Sequence, residues 1–93
     1  MESTLVLNVV GLCDKLLRNA PRLQALASAG GMRALKTITP AVTTSVQSTL
    51  LTGSLPAGHG IVANGWYFRE LAEIMFWRQS NQLVHGEIVW DAA

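Results

Sequence analysis

Near the start of the chain, Thr4–Val10 (TLVLNVV) is an almost unbroken apolar run, rich in β-branched residues and ended by Gly11. A run of this length without alternation belongs to a strand covered on both faces, as in a parallel sheet with helices on either side. Helical signals follow. Pro21 stands at a helix start with Asn19 ahead of it as a cap, Leu23, Leu26 and Ala27 fall on one face, and Gly30-Gly31 supplies the stop. Met32–Ile38 reads as a second short strand. Strand, helix, strand predicts an α/β unit, here a partial three-layer α/β/α arrangement around a mainly parallel sheet.

Beyond a turn at Thr39-Pro40, the stretch Thr43–Thr52 (TTSVQSTLLT) puts cap-type residues first and apolar Val46, Leu50 and Leu51 behind. This spacing predicts a helix from about Thr43 or Thr44, closed by Gly53. Ser54–Gly60 reads as loop, and Glu87–Ala93 as a helix that has only begun. The aromatic segment from Ile61 to Trp77 carries no clear period. Charged residues make up only 14% of the 93 against about a quarter in average proteins, while 49% are hydrophobic. So few charges hardly cover so small a body. The expectation is a piece of a larger fold, with exposed apolar surface that predicts self-association.

Chemistry concentrates in Thr39–Gly65 (TPAVTTSVQSTLLTGSLPAGHGIVANG). Three hydroxyls, Thr43, Thr44 and Ser45, fall at the junction into the predicted helix. The first turn of a helix offers free N–H groups and a partial positive charge, where a phosphate sits readily. A hydroxyl there can attack phosphorus. The same residues are also ordinary helix caps, and capping alone accounts for their presence.

The order Pro40-x-x-Thr43, Leu50-x-Thr52-Gly53 and Pro56-x-x-His59-Gly60-Ile61-x-x-Asn64 resembles, without a gap, the nucleophile block of nucleotide pyrophosphatase/phosphodiesterases of the alkaline phosphatase superfamily. The tracts Asn64–Glu70, Phe76–Asn81 and Trp90-Asp91 are similar to a bacterial branch of that superfamily. The resemblance implies an alkaline phosphatase-like catalytic domain, of which residues 1–93 are the N-terminal part. It implies hydrolysis of a phosphoric ester or pyrophosphate through a covalent phosphothreonine on Thr43. Asn64 would donate its side-chain amide to a phosphate oxygen. Two divalent ions, zinc by resemblance, would activate the Thr43 hydroxyl, which binds metal as its alkoxide. The substrate would be a phosphoester or nucleotide-like small molecule.

The sequence departs from this pattern in two places. The family's metal-binding aspartate at the end of the first strand is replaced by Val10, leaving Asn8, on the same face, and Asp14 as stand-ins. The Pro-Asn that commonly follows the nucleophile is replaced by Ser45-Val46. The family's remaining Asp and His ligands come from segments further along, so residues 1–93 alone are expected to be inactive. The competing readings are a non-catalytic remnant and a small phosphate-binding or partner-binding domain.

The remaining residues have plainer readings. His59 is expected to hold its loop by hydrogen bonds, and His85 to lie in a surface loop. Trp66, Tyr67, Phe68, Phe76 and Trp77 read as packing residues, with a stacking wall for a nucleobase as the alternative. Arg69 and Arg78 read as solvated or structurally paired, with a phosphate contact as the alternative. A net charge of +1 gives no electrostatic case for a nucleic-acid polymer or an anionic membrane. Cys13 is alone, so no internal disulfide forms, and it reads as inert. Glu2 stands before the first apolar run with no Lys or Arg, unlike a signal peptide, and the run is too short to span a bilayer. The expected location is cytoplasmic.

Overall fold

A computed structural model describes residues 3–78 and 80–92. Gln79 in the aromatic tract and Ala93 at the end of the last predicted helix lie outside the described residues, as do Met1 and Glu2. The chain divides into two units, Met1–Leu35 and Lys36–Ala93.

In the first unit, α1 (Asp14–Leu17) packs on α2 (Pro21–Gly30). Helix α2 starts at its proline, whose missing N–H is no loss in a first turn. Ala20 rather than Asn19 occupies the cap position, and no side chain caps it. The helix ends at Gly31, whose φ of +99° no residue with a side chain adopts easily. Thr4–Val10 forms neither helix nor strand, and its side chains lie open, with Leu5 80% and Val10 88% exposed.

The second unit begins with α3 (Thr43–Thr52), ended by Gly53 in the left-handed conformation at φ +66°. A short α4 (Pro56–His59) follows within the stretch that read as loop. Pro56 at its first position makes one turn favourable, and Gly60 at φ +80° stops it. The aromatic segment forms a hairpin of β1 (Gly65–Phe68) and β2 (Glu73–Phe76), antiparallel with Gly65 opposite Phe76 and Phe68 opposite Glu73. A 3₁₀ turn (Asn81–Leu83) and α5 (Val89–Ala92) complete it. Helix α3 packs on α4, and the buried residues are Ser45, Ser48, His59, Ile61 and Ile88. This small core is more polar than apolar.

The mainly parallel, three-layer sheet of the sequence reading is not what the described residues form. Their sheet has two strands, and both are antiparallel hairpin partners. The expected strands Thr4–Val10 and Met32–Ile38 have no ladder. A parallel strand is stable only with a neighbouring strand and cover on both faces, and apolar composition alone provides neither. The hairpin needs only a local turn, made here by Arg69–Ala72 with Ala72 at φ +50°. The aromatics also differ from expectation: Tyr67, Phe76 and Trp77 are exposed, while Trp66 and Phe68 are half-buried. Among the described residues no helix is long and apolar enough to cross a membrane.

The stop at Gly53 is testable. A Cβ there meets no atom within 4 Å, so only backbone strain opposes a side chain. Gly53→Ala is expected to lower the unfolding free energy by about 1 kcal/mol in urea titration. No change would mean that the left-handed turn is not needed.

Candidate active site at the mouth of helix α3

Helix α3 opens without a local cap. Val42 holds the cap position and has no side-chain acceptor. The acceptor comes from twenty residues away: the Thr44 backbone N–H donates to Asn64 Oδ1 at 3.2 Å. Because an N–H meets only an acceptor, this bond sets the amide orientation and turns Nδ2 away from Thr44 N. Asn64 Nδ2 has no partner among the described residues and is not buried. The Asn64 carbonyl accepts the Trp77 N–H at 3.0 Å, which seats the residue at the open end of the hairpin.

The three hydroxyls have separate tasks. Ser45 is fully buried, and its Oγ donates toward the carbonyls of Pro40 (2.8 Å) and Val42 (3.2 Å). Thr44 is half-buried; its Oγ1 donates to Ala63 O at 2.6 Å and lies 2.9 Å from Asn64 Oδ1. Thr43, in the first helical position, is exposed, and no side-chain bond engages its hydroxyl among the described residues. The backbone N–H groups of Thr43 and Ser45 are likewise without partners there. The mouth of α3 therefore combines one free hydroxyl, two free N–H donors and, one residue along, a seated carboxamide with an outward Nδ2.

His59 is fully buried. Its Nδ1 accepts the Ile61 N–H at 3.1 Å, and its Nε2 lies 2.9 Å from Thr49 Oγ1. Burial lowers its pKa below the ordinary 6.5, because a charged ring loses its water there. The expected loop-holding role matches these bonds. His85 is exposed, and its ring lies against Gly60.

A cavity of about 220 Å³ begins at Thr44 and continues along α3 past Ser48 to Ile61, Trp66, Arg78 and Asn81. Its lining mixes apolar side chains (Leu51, Ile61, Trp66) with polar ones (Gln47, Ser48, Asn81). The Arg78 guanidinium, exposed at this rim, donates to the sulfur of Met75. Sequence reasoning singled out Trp66 and Arg78 but not the cavity, because Thr44 and Asn81 meet only through folding.

The described residues do not fit a metal ion. No three of their His, Cys, Asp or Glu side chains come together. Both nitrogens of His59 are engaged. Asn8, the stand-in from sequence, is exposed in the first unit, and Asp14 begins α1.

The family model for type I phosphodiesterase / nucleotide pyrophosphatase matches residues 4–93. The chain belongs to this family. As a member of a family of phosphodiesterase- and pyrophosphatase-type hydrolases, it carries its free threonine and seated asparagine within the matched span. No curated protein and no solved structure matches it.

Two measurements follow from this geometry. Thr44→Val and Ser45→Ala should each cost about 1–2 kcal/mol by leaving paired groups unmatched, whereas Thr43→Val should stay within about 0.5 kcal/mol. Equal costs at all three positions would contradict the division of tasks. The second concerns pH. The unfolded chain protonates His59 near 6.5, the folded chain only at lower pH, so the unfolded state binds more protons between the two values. Stability is full above pH 6.5 and declines as the pH falls from there through the lowered folded value. Thermal melts at pH 7.5 and 5 should show this fall, and His59→Ala should remove it on a lower baseline.

Proposed function

We propose that this chain carries the nucleophile end of a hydrolase for phosphoric esters or pyrophosphates, with Thr43 as the attacking residue. The reading is carried by one observation: of three neighbouring hydroxyls, only that of Thr43 is exposed and unengaged, on the first turn of a ten-residue helix. Its Oγ1 bonds to phosphorus as the bond to the leaving oxygen breaks, and its proton passes through water to that oxygen, giving a phosphothreonine and a free alcohol or phosphate. Water then attacks the same phosphorus, releasing phosphate or its ester and restoring the hydroxyl. The N–H groups of Thr43 and Ser45, the helix dipole and Asn64 Nδ2 stabilise the oxygens as charge grows on them.

The cavity beyond Thr44 suits the remainder of a phosphoester or nucleotide-like molecule, with Arg78 at its rim facing negative charge. Zinc, implied by the resemblance, would need donors that the described residues do not bring together, and none of these steps is routed through it. We read residues 1–93 as the N-terminal part of an alkaline phosphatase-like domain, a reading supported by the open apolar side chains of Leu5–Val10. The specific observation in favour of a phosphate holder without chemistry is the missing donor cluster.

The test is p-nitrophenyl phosphodiester turnover, with zinc added, by a family member that carries the whole catalytic domain. The change equivalent to Thr43→Ala should reduce turnover at least about 1,000-fold with unaltered circular dichroism. Retained turnover sinks the nucleophile assignment. Inorganic phosphate that shifts the Thr43 and Ser45 amides of the present chain, with no turnover in the larger protein, would leave phosphate holding alone.

A further inference from the structure

The segment from His59 to Asn64 lies along α3 and is fastened to it at both ends. At one end, His59 Nε2 meets Thr49 Oγ1 at 2.9 Å. At the other, Asn64 Oδ1 and Ala63 O hold the N–H and hydroxyl of Thr44. Between them, Ile61 is 1% exposed, and its N–H is fixed by His59 Nδ1 at 3.1 Å. The ring state follows from these bonds. An amide N–H can only donate, so Nδ1 is the acceptor, the ring proton sits on Nε2, and Nε2 donates to Thr49. The His59 carbonyl in turn accepts the His85 N–H at 3.0 Å.

We propose that His59 is a positioning residue for Asn64: its neutral ring, tied to Thr49 and Ile61, sets the place of the segment along α3 and so keeps the Asn64 carboxamide at the helix mouth. This rests on the reading of Asn64 as the group that faces a phosphate oxygen. His59 touches no substrate and acts through Asn64. The second anchor of Asn64, the Trp77 N–H, holds its main-chain carbonyl and not the side chain that meets Thr44. A protonated ring would present a second N–H to that of Ile61, donor against donor, and the segment would lose its middle fastening. The Arg78 guanidinium lies at the cavity that Thr44 and Ile61 also line, and it bonds Met75 rather than the His59 ring. Helices α3 and α4 and residues 60–64 contain no ionisable side chain except His59, and β1 contributes only Tyr67. His85 lies across Gly60, with its Nδ1 3.4 Å from where a Cβ would stand, and Glu87 follows two residues later.

The experiment is amide hydrogen exchange on the full chain by NMR, expressed as protection relative to the unfolded peptide. The Thr44 amide reports the seat of Asn64. The Gly53 amide, bonded to Thr49 O at 2.9 Å at the far end of α3, reports unfolding of the unit as a whole. In wild type, Thr44 and Ile61 should lose protection together as the pH falls below 6.5, by about ten-fold, the worth of one hydrogen bond. His59→Phe, which fills the space without an acceptor, should show that loss at every pH while Gly53 stays protected. His59→Asn accepts the N–H two residues on, as asparagine does in turns, and cannot titrate. It should keep most of the Thr44 protection and abolish its pH dependence. Thr44 protection unchanged in His59→Phe, or lost only in step with Gly53, overturns the proposal. If His59→Phe does not fold, Thr49→Val decides: a loss of a few-fold at Thr44 supports the proposal, and no loss overturns it. Thr43→Ala should leave the Thr44 and Ile61 amides as in wild type, so a failed nucleophile assignment and a failed positioning role give different results.

Discussion

The bond from the Thr44 N–H to the Asn64 carboxamide holds the site together. A helix leaves its first N–H groups without partners, and a side chain at the cap position normally takes one of them. Valine stands there in α3. The acceptor comes instead from the end of the loop after α4, and the same asparagine takes the Trp77 N–H on its carbonyl. One residue therefore joins the helix mouth, the loop and the hairpin. The same contact that caps the helix turns an amide donor outward beside the remaining free N–H groups.

Structure and chemistry divide the hydroxyls between them. Ser45 and Thr44 are used up in closing the turn before the helix and in fastening the loop. Thr43 is left over: it is exposed, and no side-chain bond engages its hydroxyl among the described residues. A core built on Ser45, Ser48, His59, Ile61 and Ile88 is unusual in its polarity. Such a core is stable only where its polar groups are paired, and no buried side-chain N or O among the described residues lacks a partner. The pairing makes the site specific and also sensitive, since each buried partner is hard to replace.

Membership in the type I phosphodiesterase / nucleotide pyrophosphatase family gives this arrangement its functional context. The donors that would hold metal are a separate matter. The described residues provide an exposed, unengaged hydroxyl and unpartnered N–H groups at the helix mouth, but no cluster of carboxylates and imidazoles. On the proposed reading, positioning a phosphate and activating a nucleophile are separable demands, and the helix mouth is suited to the first.

What the sequence determined by itself was local. Proline at the start of α2 and glycine at the ends of α2 and α3 marked those bounds almost to the residue, because such signals act through the φ of one residue or the missing N–H of another. Motif order singled out Thr43 and Asn64 for attention, and the hydrogen bonds that His59 makes in its loop were legible there. The sheet was not legible. Apolar content marked Thr4–Val10 and Met32–Ile38 as strands, yet a strand exists only with a partner, and the partnered segments were the aromatic ones. Only the tertiary structure decided that Asn64 caps α3, that Thr44 rather than Thr43 receives it, and which nitrogen of His59 carries the proton. The first two depend on atoms twenty residues apart meeting at hydrogen-bond distance, and the third on a buried ring turned toward the N–H two residues on; spacing along the chain encodes neither.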